Sequence, residues 1–454
     1  MLPDDVLLEV FDFYVDQGQG SKEEIRSWQL LIQVCRRWRI IIFGSPCRLN
    51  LRLFCTPKTP VHDTLAVWPA LPFSIQGNIT SMSDAANTIA MLNYSDRMRM
   101  IDFKISGSQF SYISAAMQKP FPELTHLLLD TFYNECTPTL TDFFLGGSAP
   151  RLQVLSLSCV TFLGLPRLLL STTHLVSLYL KLDAYPYHER VPSEVMVTTF
   201  PALTRLEMLE IDFSRYSVFT LMDGRPPPPT HSVLPALTRF TFRGNGRDFE
   251  ILAAQLDTPL LNRLSVYFSD PAHIHMYTTQ VAQFIGHAPS FRANDEANIV
   301  FYDNAFTVKL ASRAIGHEGP VVSIQSTGLL STLAHICTSS FSPLSTLERL
   351  CIYEIGPVGA RWKREMANPQ WLGIFRSFAA VKNLYISQVL APEIMSSLGR
   401  GMAEVLPNLQ NVFIEGLQLS RPVRELFVAR QLSGNSINVS HWNRLEDQEQ
   451  DIVQ

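Results

Sequence analysis

Pro122-Glu123-Leu124-Thr125-His126-Leu127-Leu128-Leu129 carries the pattern that decides the fold: a proline, then apolar residues two, five and seven places on. The spacing returns as Pro150-x-Leu152-x-x-Leu155-x-Leu157, Leu175-x-x-Leu178-x-Leu180, Pro201-x-Leu203-x-x-Leu206-x-Met208, Pro235-x-Leu237-x-x-Phe240-x-Phe242 and Pro259-x-Leu261-x-x-Leu264-x-Val266. Later copies are Leu347-x-x-Leu350-x-Ile352, Val381-x-x-Leu384-x-Ile386 and Pro407-x-Leu409-x-x-Val412-x-Ile414, and Met98-x-x-Ile101-x-Phe103 is a weaker first copy. Neighbouring copies lie 23 to 34 residues apart, except for an interval of 86 between Leu264 and Leu350. Side chains alternate along a strand, so the last two apolar residues of each copy point to one side, into a core shared with neighbouring copies.

A period of this length resembles that of leucine-rich repeats. The expected fold is α/β: N-terminal helices, then an irregular leucine-rich-repeat solenoid with a parallel sheet on its concave side. Returning segments include amphipathic stretches at 87–92, 280–285, 371–378 and 393–405. The interval of 86 has room for two degenerate repeats, with Pro289-x-Phe291, Ile299-Val300-Phe301 and Val321-Val322-Ser323-Ile324 as remnants. The alternative is an ordinary α/β protein with leucine-rich parallel strands; ten roughly periodic copies favour the solenoid. The expected organisation is a helical unit over 1–46, a linker and solenoid cap over 47–95, the solenoid over 96–420, and a C-terminal cap and tail over 421–454.

The N-terminal unit opens with Leu2-Pro3-Asp4-Asp5. Proline suits a first helical turn and early acids suit the positive end of the helix dipole. Val6, Leu7, Val10, Phe11 and Tyr14 follow at helical spacing. Ser21-Lys22-Glu23-Glu24 has the form of a capping box, which starts a second helix with Trp28, Leu31, Val34, Cys35, Trp38, Ile41 and Ile42 on its apolar face. Periodicity alone fits two readings: helices that cap the next domain's core, or helices that await a partner.

The residues themselves are more specific. Leu2-Pro3-Asp4-Asp5-Val6-Leu7-Leu8-Glu9-Val10-Phe11 resembles the opening of an F-box, and Leu31-Ile32-Gln33-Val34-Cys35-Arg36-Arg37-Trp38-Arg39 resembles its second half. The resemblance spans about residues 2–46, and its 16–27 segment is longer and more polar than in the shortest F-boxes. It implies an F-box protein, the substrate-recruiting subunit of a cullin–RING (SCF-type) ubiquitin ligase. Leu2, Pro3, Val6, Leu7, Val10, Phe11, Leu31, Val34, Cys35, Trp38 and Ile42 are then expected to bind the adaptor, exposed in the isolated chain. The solenoid is expected to hold an unidentified target protein. A leucine-rich-repeat scaffold with no role in ubiquitination is the alternative.

Composition fits a binding protein. Hydrophobic residues make up 46% of the 454 and charged residues 17%, and the net charge is −4, unlike the basic balance of a nucleic-acid binder. Seven cysteines without C-x-x-C exclude an obvious disulfide framework or zinc site. No stretch has the length of a membrane span. The acidic start does not resemble a signal peptide, so the chain is expected in cytoplasm or nucleus. Phosphate-loop, nucleophile-elbow, zincin and dinucleotide motifs are missing from the sequence. His273-Ile274-His275 has no acid or cysteine cluster nearby. The expectation is therefore no enzyme activity, cofactor, metal, nucleic acid or membrane partner. Arg225-Pro226-Pro227-Pro228-Pro229-Thr230 is a polyproline loop, read as a surface insertion.

A target site can be read from the same alternation. The residue before the second-last apolar position of each copy is expected to face the open side. That position holds His126, Val154, Ser177, Arg205, Arg239, Arg263, Arg349, Asn383 and Asn411. Three successive copies present arginine, which suits bidentate binding of carboxylate or phosphate. Arg205, Arg239, Arg263 and Arg349, aided by Tyr179 and Tyr385 and by Phe413, are expected to form an anion-accepting strip. The alternative is arginine as a merely soluble residue, neutralised by Glu207 and Glu348.

Overall fold

The structure, a computed structural model, describes residues 2–16, 27–46, 48–49, 51–61, 64, 71–132, 139–162, 164–181, 198–213, 231–269, 278–312, 319–327, 330–338, 342–356, 362, 370–398, 405–416 and 437–444. The proposed capping box at Ser21, the polyproline loop, the His273–His275 pair, Cys47 and Cys136 lie outside them. The chain forms two compact units, Met1–Val191 and Pro192–Gln454. The fold is mixed α/β with a mostly parallel sheet, consistent with a leucine-rich-repeat-like solenoid.

The first unit begins with helices α1 (Asp4–Asp16), α2 (Ser27–Val34) and α3 (Arg36–Gly44). Six parallel strands of the main sheet follow: β1 (Leu53–Cys55), β2 (Phe73–Ile79), β3 (Met98–Ile105), β4 (His126–Thr131), β5 (Val154–Ser158) and β6 (Ser177–Lys181). Helices α4 (Met82–Leu92), α5 (Gly107–Ala116) and α6 (Leu165–Ser171) connect β2 to β3, β3 to β4, and β5 to β6. Ser81 and Asp84 close the start of α4 with a reciprocal capping box, satisfying two otherwise orphaned backbone donors. Ile75, Ile101, Leu127, Leu155 and Leu178 are consecutive register partners and form one buried row.

One expected helix is two. Cys35 is extended (φ −158°, ψ 167°), and its Sγ accepts the Trp38 backbone N–H at 3.4 Å, capping α3. The residue read as part of a continuous apolar face therefore marks a helix boundary.

The second unit contains β7 (Met208–Asp212), β8 (Arg239–Gly244), α7 (Gly246–Gln255), β9 (Arg263–Phe268), α8 (Thr278–His287), β10 (Glu296–Phe301), β11 (Phe306–Ala311), β12 (Val321–Ser326), α9 (Leu330–Thr338), β13 (Arg349–Glu354), α10 (Gln370–Arg376), β14 (Asn383–Ile386), α11 (Ala391–Leu398), β15 (Asn411–Glu415) and β16 (Asn438–Trp442). Two features depart from the expected repeat. The first is β7. Its register pairs Leu209 with Phe240 and Met208 with Arg239, so the working copy is Leu206-x-x-Leu209-x-Ile211, three residues beyond the expected one. Leu203, Leu206 and Leu209 satisfy the template at either setting, and burial selects the later: Ile211 is fully buried whereas Met208 is 38% exposed. Leu206 is buried as expected, but ahead of the strand.

The second departure fills the long interval. The sheet order there is β9-β12-β11-β10-β13, with β11 antiparallel to both neighbours. The chain skips two positions after β9, lays down β10, and returns through β11 to place β12 beside β9. Ile299-Val300-Phe301 and Val321–Ile324 are both strands, in reversed spatial order. Their apolar rows stay in phase: Leu264, Val322, Leu310, Ala297 and Leu350 are successive register partners, all buried. Aromatic rings fill the space behind the sheet, with Phe249 edge-on to Phe242, Phe268 and Phe284.

Two measurements check this description. Leu209→Ala is expected to cost about 2–5 kcal/mol in urea unfolding, as deletions from a packed core do, and Met208→Ala less than about 0.5 kcal/mol; the earlier register gives Met208→Ala the core-like loss. Burial pushes the Cys55 thiol up to about 11 and the Cys337 thiol up to about 12, while Cys35 is exposed. Native alkylation at pH 8 followed by mass spectrometry is expected to mark Cys35 well before Cys55 or Cys337.

Candidate interaction surfaces

Among the described residues, most of the expected site positions lie in two places: the N-terminal helices of the first unit and the open face of the sheet in the second.

The helices have a small core of their own. Asp4 pairs with Arg37 at 2.6 Å and Glu9 pairs with Arg48, which ties α1 to α3 and to the segment after it. Phe11, fully buried, meets Trp38 edge-on at 4.8 Å. Trp28 packs on Phe43 and donates its indole N–H to the Arg52 carbonyl at 3.1 Å. Leu7, Phe11, Leu31 and Ile42, expected at an exposed partner face, are buried inside this unit. The reason is geometric: α1 is apolar on two sides, and the side carrying Leu7, Leu8 and Phe11 closes on α2 and α3.

The other side of α1 is open. Val6, Val10 and Phe13 follow one another at helical spacing and all are exposed, Phe13 by 66%. Leu2 and Tyr14 extend the stripe, and Leu30, Val34 and Ile40 are exposed on α2 and α3. Pro3 and Cys35 are exposed and Trp38 is half-buried. The structure thus leaves Leu2, Pro3, Val6, Val10, Val34 and Cys35 on the surface. It adds Phe13, Leu30 and Ile40, and Tyr14 from the apolar spacing already read on α1.

On the sheet of the second unit, the expected arginine strip is reduced to two residues. Arg239 and Arg263 are register partners, flanked by Met208 and Val321. Arg205 lies in a turn before β7, displaced by the shifted register. Two and four residues along, the same face carries Glu210, Asp212 and Arg243. Arg243 lies 3.8 Å from Glu210 and 4.4 Å above the Tyr267 ring. Burial, opposed by Arg243, pushes the Glu210 carboxyl above the usual carboxylate range. This face is therefore mixed in sign, with Glu210 and Asp212 on the same face as Arg239 and Arg243. In the first unit, Tyr179 is half-buried on β6, beside Ser156 in register.

Arg349 is in internal use. Its guanidinium lies 3.0 Å from Glu296, with both side chains nearly buried, and 3.8 Å above the Tyr385 ring, whose hydroxyl it also contacts. Tyr385 in turn stacks on Phe413 with centroids 4.4 Å apart and planes 8° off parallel. Trp442 meets Tyr385 and Tyr353 edge-on. Arg444 lies over Tyr353 and within 3.4 Å of Glu415. Burial pushes the Tyr353 hydroxyl up to about 12. Asn383, Asn411 and Asn438 are register partners and form an amide ladder at 2.8 and 3.2 Å. This aromatic and amide face was legible only in part, through the positions assigned to Arg349, Tyr385 and Phe413. Trp442 and Arg444 lie beyond the last recognised repeat.

No group of three or more His, Cys, Asp or Glu that could hold a metal occurs among the described residues. No described helix is long and apolar enough to cross a membrane.

No protein-family model matches this chain, and no curated protein matches it. Among solved structures, the leucine-rich repeat-containing protein LegL7 from Legionella pneumophila is similar over 85% of this chain and 98% of its own, with 15% identity and a TM-score of 0.26.

Removing one partner of a nearly buried ion pair leaves the other charge uncompensated. Arg349→Ala is therefore expected to destabilise the protein by about 3 kcal/mol, and the Arg239→Ser/Arg263→Ser double variant by less than about 1 kcal/mol. Chemical denaturation of the three proteins separates a structural arginine from surface ones.

Proposed function

We propose that this protein is an F-box protein, the substrate-recruiting subunit of a cullin–RING (SCF-type) ubiquitin ligase. In this reading the N-terminal helices dock on the adaptor protein of that complex. The open sheet face holds a target protein. The chain performs no chemistry itself, works in cytoplasm or nucleus, and needs neither cofactor nor metal.

The observation that carries the reading is that α1 and α2 each keep large apolar side chains exposed beside a helical core that is already satisfied. Val6, Val10, Phe13, Leu30 and Val34 stay exposed although the helices pack well without them. Large apolar side chains left exposed in number on an otherwise complete unit point to a protein-binding site. The sequence resemblance over residues 2–11 and 31–39 supplies the identity of the partner. A scaffold unrelated to ubiquitination would use the same stripe on another protein, so the adaptor is the discriminating reagent.

The core residues of the helices make poor test positions, because Phe11→Ala or Leu7→Ala would unfold them. The informative variants are Val10→Asp and Val34→Asp, which touch only exposed positions. Co-purification of the full chain with the adaptor is expected to fall by at least about 30-fold in the double variant, the scale of losing interface anchors. Its thermal unfolding is expected to stay unchanged. Wild-type recovery of the adaptor, or no adaptor binding by the wild-type chain, contradicts the proposal.

A further inference from the structure

The stack on the last strands of the second unit is incomplete on one side. It runs in order across neighbouring strands: the Arg349 guanidinium, the Tyr385 ring at 3.8 Å, then the Phe413 ring at 4.4 Å. The next position in register is Ser440 on β16, which is exposed. Strands lie about 4.8 Å apart, one ring thickness plus contact, so upright rings on adjacent strands stack face to face. A serine at the following position is too short to cover the second face of Phe413. Among the described residues, no ring or guanidinium lies on that face, and Phe413 is half-buried. The ladder of amides ends beside it at Asn438, which is exposed and donates to Asn411. Two residues along β15 on the same face, Glu415 is 30% exposed and touches Arg444 through one oxygen at 3.4 Å.

These surroundings select a chemistry. An aromatic face favours a planar or cationic group, and a partly exposed carboxylate with one oxygen engaged favours a second cation. A guanidinium meets both demands, since it stacks on rings and forks onto carboxylates; a lysine ammonium is compact and strongly hydrated. Arg349 shows the mode on the opposite end of the same stack. We propose that the space over Ser440, bounded by Phe413, Asn438 and Glu415, receives an arginine side chain of the bound target. The proposal rests on the reading of the open sheet face as the target-binding surface. It inverts the sequence-based expectation that this face binds anions.

The test is saturation-transfer NMR on the full chain with Nα-acetylarginine methylamide as the probe. The citrulline, lysine and tyrosine equivalents serve as comparison probes. Saturation of the arginine side-chain methylenes is expected, with the lysine and citrulline signals weaker by at least about threefold, as expected for a lost cation–aromatic contact. Ser440→Phe, which completes the stack internally at an exposed position, is expected to abolish the arginine signal while thermal unfolding stays intact. Phe413→Leu is expected to reduce it by at least about fivefold; should that variant fail to fold, Ser440→Phe decides alone. Equal saturation of citrulline, stronger saturation of the tyrosine probe, or an arginine signal that survives Ser440→Phe overturns the assignment. Adaptor capture, measured in parallel on the same Ser440→Phe protein, reports on the helices alone, so the slot and the adaptor reading can fail separately.

Discussion

No strand of this chain can bury its own apolar row. Leu127 and Leu129, or Leu264 and Val266, are buried only because the strand before and the strand after present matching rows in the same register. Everything else follows from that constraint. It keeps one side chain in two on the inside and hands the others to the opposite face. It tolerates a helix, a 3₁₀ turn or an irregular segment behind the sheet, provided the next strand returns in phase. It even tolerates reversed strand order. At β10–β12 the chain runs against the direction of the array and includes an antiparallel strand, yet Val322, Leu310 and Ala297 keep the buried row unbroken. Phase is held more strictly than direction.

The same constraint explains how much the sequence reveals. Where the template occurs once per repeat, as at Leu124–Leu129 or Leu261–Val266, strand and burial could be read directly. Where the chain offers it twice, as at Leu203, Leu206 and Leu209, spacing cannot choose, and only the fit to Phe240 does. That slip of three residues moved Arg205 from the sheet face to a turn and removed a third of the apparent arginine run. The reversed hairpin was invisible for a different reason. The short connection between Phe301 and Phe306 contains turn-forming Asp303 and Asn304, but sheet order is a tertiary property that no local pattern encodes. Cys35 reads as one more apolar residue in a helical period; its extended backbone and thiol cap emerge only when α2 and α3 are seen as separate.

Surfaces were harder to read than the core. Apolar residues on α1 could be counted, but which stripe would close on α2 and α3 depended on Phe11 meeting Trp38 and on Asp4 meeting Arg37. Once those contacts form, Val6, Val10 and Phe13 are left outside. Likewise, an arginine at a strand position facing outward can be a ligand-binding group or part of a packed network. Arg349 is the latter, because Glu296 and Tyr385 stand on the adjoining strands. Charge at a position was legible, but its partner, on an adjoining strand in space and dozens of residues away in sequence, was not.

The proposed adaptor docking depends on the division of the N-terminal helices into an inner apolar side that folds the unit and an outer one that stays exposed. Hydrogen–deuterium exchange of the full chain, with and without the F-box-binding adaptor, examines that division directly. Added adaptor is expected to slow exchange in peptides covering residues 2–14 and 28–40, where the exposed stripe lies, and to leave the strand peptides of both units unchanged. Protection confined to sheet peptides, or none at all at saturating adaptor, would contradict it.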